Sequence, residues 1–125
     1  MRDPAVRVIL LPRDTNAHGS IFGGVILSHL DLAGVTEARK HGDQRFVTVA
    51  MKEVEFREPV FVGDTVSFYT RTKRTGTTSV TVEVEVEAQR WKEPAVKVLV
   101  TKALITYVSV NEQGRPIPIK RPTRG

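Results

Sequence analysis

Apolar residues recur along this chain in two rhythms, and each predicts a different element. In the stretch 14–37, DTNAHGSIFGGVILSHLDLAGVTE, and just past it, Ile26, Leu27, Leu30, Ala33, Gly34 and Ala38 fall on one helical face. Ser20 is placed to cap the start, and Lys40-His41-Gly42 reads as a basic last turn followed by a stop. The pattern therefore predicts a loop over residues 14–19 and one long helix over about residues 22–40.

The rest of the chain reads as strands. Residues 7–11 (RVILL) form a short apolar run that Pro12 ends, because a proline forces the residue before it into an extended conformation. Residues 45–57 alternate, with apolar Val47, Val49 and Met51 and then Val54 and Phe56. The phase slips between Met51 and Val54, so a bulge or bend is expected near Lys52-Glu53. A connection through Pro59 and Gly63-Asp64 leads to a strand over residues 65–74, and Thr75-Gly76-Thr77 reads as a hairpin turn. Residues 79–88 hold the cleanest period of two: Val80, Val82, Val84 and Val86 against Thr81, Glu83, Glu85 and Glu87, one face buried and one wet. Lys92-Glu93-Pro94 breaks the run, and residues 95–110 return as the last long strand. After a turn at residues 111–115, the tail with Pro116, Pro118 and Pro122 is expected to be extended and partly mobile. One helix with about five strands and no linker or repeat is an α+β two-layer domain, the helix lying on one face of an antiparallel sheet.

Composition narrows the classes. At 125 residues the chain makes a single domain whose core would gain from a partner subunit. Its 40% hydrophobic and 26% charged content is that of a water-soluble globular chain. No apolar run approaches the roughly 18 residues of a membrane span, and residues 8–11 are too short for a signal peptide's apolar core. With no cysteine there is no disulfide, thiolate ligand or thiol nucleophile. The expected compartment is the cytoplasm. The net charge of +5 suits an anionic ligand, but Lys and Arg are dispersed except at Arg71-Lys73-Arg74 and Lys120-Arg121-Arg124.

Three segments together, DTNAHGSIFGGVILSHLD, VTVAMKEVEFREPVFVGD and ITYVSVNEQGRPIPI, resemble the hotdog-fold acyl-CoA thioesterases of the YciA and brain acyl-CoA hydrolase branch. The resemblance spans about residues 7–119, and its specific element is D-T-N-x-x-G-x-I-F-G-G with an aspartate eight residues after the first glycine of the pair. It implies a long helix wrapped by a curved sheet. It also implies subunits paired around shared sites, with the dimers gathered into a hexamer (a trimer of dimers). The implied activity is hydrolysis of an acyl-CoA thioester, with no cofactor and no metal.

That chemistry gives roles to particular residues. Gly23 and Gly24 stand where a helix exposes free N–H groups and the positive end of its dipole, so they are candidate oxyanion donors; close packing of the helix start is the other use of such a pair. Asp31 sits among Leu27, Leu30 and Leu32, and the resemblance makes it the catalytic carboxylate, either general base or nucleophile. Asn16 matches the family's functional asparagine, which meets the aspartate across the subunit interface; an Asx-turn would use the same side chain locally. Asp14 is expected to brace the loop. His18, Gly19 and Phe22 are expected to line the ligand, His29 to lie at the surface or an interface, and Val25 to affect acyl-chain preference. Arg74, Thr78 and Ser79, in and beside the predicted hairpin, are candidates for the CoA phosphates, against the plainer reading of a solvated basic turn. The three histidines lack ligand spacing for a metal site.

Two other classes compete. A non-catalytic acyl-CoA-binding regulatory domain would share the fold, but it needs a tethered DNA-binding segment, which is not expected before Arg7, and would not need both Asn16 and Asp31. A nucleic-acid module is disfavoured by 6% aromatics and the absence of a stacking motif on the strands. No membrane insertion is expected either.

Overall fold

A computed structural model describes residues 2–120. The strands are β1 (Val6–Ile9), β2 (Arg45–Phe56), β3 (Thr65–Thr75), β4 (Ser79–Gln89) and β5 (Lys97–Val110), and the helix α1 (Gly23–Ala38) falls between β1 and β2. All five strands form one antiparallel sheet in the order β1-β3-β4-β5-β2. The helix lies on one face, mostly over β3 and β4, as the two-layer expectation required.

The helical face is as the pattern indicates: Ile26, Leu30, Ala33, Gly34 and Ala38 are buried and Leu27 half-buried. The start differs from expectation in its cap, while the basic last turn before Gly42 is present. The helix begins after Phe22 with no side-chain cap, and past Ala38 it tightens into a 3-10 turn over Arg39–His41. Ser20 is not the cap, because its amide and hydroxyl are both bound to the Asn16 side chain.

The strand register fixes what faces the helix. Val80, Val82, Val84, Val86 and Ala88 of β4 are wholly buried, and across the ladder so are Val66 and Phe68 of β3 and Ile105 and Tyr107 of β5. The other face of β4 is not uniformly wet. Thr81 and Glu83 are buried there too, Thr81 against Thr106 and Glu83 between Arg71 at 3.0 Å and Lys102 at 3.7 Å.

The expected phase slip in β2 is present: the register shifts between Lys52 and Glu55, with Glu53 in the left-handed region at φ 54°. A second shift, between Thr48 and Ala50, leaves no sequence trace and sets which residues of the strand's first half face the helix. Phe46 and Thr48, not Val47 and Val49, pair with the helix-facing residues Ser109 and Tyr107; Val47 and Val49 are exposed, as is Phe56. Further shifts in β3 and at the β4–β5 pair add twist, and the sheet curls about the helix.

The turn at Asn111 forms as expected, its side-chain oxygen accepting from the amides of Gln113 and Arg115. The tail is extended as expected and is tied to the sheet through Ile117 N–H to Ser109 O and Ile119 N–H to Thr77 O, both 2.9 Å. Arg121, Pro122 and Arg124, named above, lie outside the described residues.

Candidate active site

Three groups of chemically capable side chains are built by different parts of the fold. The first is the loop before the helix. Asp14 braces it as expected: its carboxylate accepts from Leu11 N–H at 2.9 Å and its carbonyl accepts from Phe22 N–H at 2.8 Å. Asn16 Oδ1 accepts from the amides of His18 at 2.8 Å and Ser20 at 3.3 Å, while Nδ2 donates to Ser20 Oγ at 3.1 Å. Within one chain the asparagine is thus an Asx-turn residue, and no hydrogen bond among the described residues joins it to Asp31. His18 and Gly19 are exposed on this loop, Gly19 at φ 86°, where only glycine sits without strain.

The second is the helix start. Gly23 and Gly24 occupy the first turn, and their amides have no partner among the described residues, which is the normal condition of first-turn N–H groups. Two aromatic rings flank the pair. A Cβ on Gly23 would lie 3.5 Å from Phe56 Cζ, and one on Gly24 would lie 2.7 Å from the Phe22 ring. Phe22 is 57% exposed and Phe56 53%. The missing side chains admit the rings, and the two amides stand beside them without a partner among the described residues.

The third is the middle of the helix, eight residues and roughly 12 Å beyond Gly23 at 1.5 Å per residue. Asp31 is half-buried there and turned toward the β5–β2 edge. Thr48 Oγ1 donates to its Oδ1 at 2.8 Å, and the Tyr107 hydroxyl donates to its main-chain carbonyl at 2.8 Å and to Oδ1 at 3.2 Å. Oδ2 has no hydrogen-bond partner among the described residues. Burial pushes the Tyr107 phenol well above its usual pKa, with the Asp31 charge and hydrogen bond adding to the effect. The phenol therefore stays protonated and remains a donor.

The basic hairpin lies elsewhere. Thr78, through its carbonyl, holds Ser109 N–H, and Ser79 opens β4, while Arg74 is exposed at the end of β3. His41, past the far end of the helix, bonds Thr72 at 2.7 Å, so Arg74, Thr78 and Ser79 sit at the opposite end of the helix from Gly23 and Gly24. One chain alone does not bring the expected CoA-phosphate residues and the expected carbonyl site together.

Sequence reading passed over Thr48 and Tyr107. Tyr107 carried a signal, since a phenol in the buried phase of a strand must find an acceptor. Thr48 carried none, because the unseen shift at Val49 put it in the wrong phase. Glu37 was also missed. It is a buried carboxylate on the helix that accepts from Thr72 at 2.8 Å, Thr70 at 3.2 Å and Lys40 at 2.9 Å. Burial raises its pKa, but the hydrogen bonds from Lys40, Thr72 and Thr70 outweigh that and hold it below the usual carboxylate value. His29 is not simply at the surface: it is half-buried, donates from Nδ1 to Val25 O at 3.0 Å and stacks on Phe68 at 5.9 Å.

Comparison with known proteins adds to this geometry. A family model described as "Thioesterase superfamily" matches residues 18–95. The chain is similar to the acyl-CoA thioester hydrolase YciA of Escherichia coli (strain K12), 38% identical over 116 residues that cover 91% of this chain and 88% of the relative. Among solved structures it is similar to a hexameric hotdog-fold thioesterase of Campylobacter jejuni, with TM-score 0.88 and 47% identity over 94% of this chain and 90% of that one. It is also similar to a hexameric thioesterase from Yersinia pestis, with TM-score 0.89 and 35% identity over 97% and 98% of the two chains.

Proposed function

Since the chain belongs to the thioesterase superfamily, with the hotdog fold, we propose that it hydrolyses acyl-CoA thioesters to free CoA and a carboxylic acid. One observation carries this reading: a hydrogen-bonded carboxylate with one oxygen free, Asp31, stands two helical turns from a pair of unengaged amides at a helix N-terminus. The thioester carbonyl oxygen accepts from the Gly24 and Gly23 amides, where the helix dipole and the two donors stabilise the developing oxyanion. First-turn amides point away from the body of their own helix, and that helix's Asp31 lies roughly 12 Å along it. The carboxylate that acts on the carbonyl carbon is therefore the Asp31 of a neighbouring copy, in one of two ways. As general base it takes a proton from water while the water oxygen bonds to carbon; as nucleophile it forms an anhydride that water then opens. In both, the C–S bond breaks and CoA leaves as a thiolate that takes up a proton. The reading needs no cofactor and no metal.

The site is completed by a second copy. Asn16 is not bonded to Asp31 within its own chain, and the hairpin residues Arg74, Thr78 and Ser79 lie at the wrong end of their own helix. An asparagine reaching the thioester carbonyl, or the attacking water, and cations reaching the CoA phosphates therefore come from neighbouring subunits. The free edge of β2, with exposed Val47 and Val49, offers the surface for a dimer, because an unpaired edge strand with apolar side chains favours pairing. The structural relatives described as hexameric support a trimer of such dimers. Among the described residues no helix is long and apolar enough to cross a membrane, and the proposed compartment is the cytoplasm.

The experiment is acyl-CoA hydrolysis followed by free-thiol release across chain lengths from acetyl to palmitoyl. Asp31→Ala is expected to lose at least about 100-fold in kcat, the range of a general base, while still binding CoA by calorimetry. Asn16→Ala loses less. Co-expressed, differently tagged Asp31→Ala and Asn16→Ala chains purified as mixed dimers recover part of the activity, since one of their two sites is intact. Near wild-type turnover by Asp31→Ala would refute the catalytic reading, and no recovery in the mixed dimers would refute the shared site.

A further inference from the structure

We propose that Thr48 and Tyr107 are positioning residues that fix the Asp31 carboxylate with Oδ1 held and Oδ2 turned to the substrate, an inference resting on Asp31 being the reacting group. The two residues are direct register partners across β2 and β5, so their side chains stand together on the helix-facing side of the sheet. That single rung presents two hydroxyl donors to one oxygen, Oδ1, at 2.8 and 3.2 Å. A carboxylate bound at both oxygens would be a structural anion; one bound at a single oxygen is oriented and still has a lone pair to use. Here both donors converge on the same atom.

Each donor is set by a different feature of the fold. Tyr107 is fully buried in the second strand from the sheet edge, and its hydroxyl reaches the helix backbone at the Asp31 carbonyl, 2.8 Å away. It does so because residue 34, one turn on, is glycine and leaves room for the phenol. Thr48 lies on the edge strand, next to the register shift at Val49; bulges of this kind re-aim a neighbouring side chain. Oδ1 is thus anchored from the core through Tyr107 and from the edge through Thr48. The torsion of the carboxylate, which decides whether Oδ2 lines up with water or with the carbonyl carbon, is fixed by this pair.

The test separates the hydroxyl from the side chain's bulk. Thr48→Val keeps the branched shape on an exposed strand and removes the donor; Thr48→Ser keeps the donor. The Val variant is expected to lose about 10- to 100-fold in kcat, the scale of a small misplacement of a reacting group. Its KM stays within about twofold, because the lost interaction acts on the transition state and not on substrate binding. The Ser variant stays within about threefold of wild-type kcat, and Tyr107→Phe changes kcat in the same direction as Thr48→Val. Unfolding midpoints and light scattering check that every variant is folded and assembled. The inference is overturned if Thr48→Val turns over at the wild-type rate while Asp31→Ala is inactive, if Ser falls as far as Val, or if the Val variant changes KM alone. Wild-type turnover by Asp31→Ala would instead remove the reading beneath it.

Discussion

Gly34→Ala is a substitution whose expected sign reverses once the neighbours are known. In a helix interior the change normally gains about 1 kcal/mol, because alanine has less backbone freedom to lose on folding. Here a Cβ at residue 34 would collide with the Tyr107 hydroxyl and lie 2.9 Å from the ring Cζ and 3.1 Å from Cε2. The ring has nowhere to go, since Tyr107 is fully buried beneath the helix. Overpacking of this kind costs about 1–3 kcal/mol. Driving the phenol off Asp31 leaves a buried hydroxyl without its acceptor, about 1–3 kcal/mol more. Set against the propensity gain, the variant should be less stable by roughly 1–5 kcal/mol. Urea unfolding measures this, with all samples at one protein concentration because subunit association contributes to apparent stability. The double variant Gly34→Ala/Tyr107→Phe lacks the atom that collides first, so it should be less destabilised than the two single effects combined. Gly34→Ala at or above wild-type stability, or strict additivity in the double variant, would refute the packing argument.

Other perturbations follow the same logic. Thr101 is fully buried, and its hydroxyl has no partner among the described residues, so Thr101→Val should raise the urea midpoint by an amount worth about 1 kcal/mol; a lower midpoint would mean the hydroxyl is bonded after all. Glu37 has a folded-state pKa below its ordinary value of 4.5, so its contribution is fully present above that pH and is lost as pH falls through the lower folded value. Glu37→Gln should therefore be less stable than wild type at pH 7, with a gap that narrows below about pH 4.5 and a constant gap as the refuting result. Arg90 pairs with Asp64 at 2.6 Å, and the two side chains are 18% and 2% exposed. Arg90→Met should cost about 3–5 kcal/mol in urea by leaving that carboxylate buried without its cation, whereas a loss below about 1 kcal/mol would place the pair among ordinary surface bridges.

How much of this could be read from the sequence depends on whether the signal was local. The helix core face came through because Ile26, Leu30, Ala33 and Ala38 keep one period across the whole element, and β4 came through because its valines never leave phase. The slip at Lys52-Glu53 was legible because it displaces apolar residues. Asp31, Asn16 and the glycine pair are candidates by resemblance, and the aspartate also as a charge set among leucines. The capping residue was not legible, because Ser20 is a good cap in isolation and only the fold shows its hydroxyl and amide bound to Asn16.

The first half of β2 was not legible for a more general reason. The alternation of Val47, Val49 and Met51 shows that one side of the strand is apolar, but not which chain's core covers that side. The structure assigns that inner side to Phe46 and Thr48 and leaves both valines exposed. Periodicity records burial in the working molecule, whichever chain provides it. On the proposed assembly, apolar residues on the outer phase of an edge strand are covered by a second copy, with a donor for Asp31 on the polar phase between them. Val49→Lys tests this: added charge on that exposed edge should weaken assembly in light scattering while leaving the protomer's secondary structure intact by circular dichroism, because the side chain makes no core contact of its own. A Val49→Lys protein with wild-type mass and wild-type turnover would show that the two valines lie outside any subunit contact.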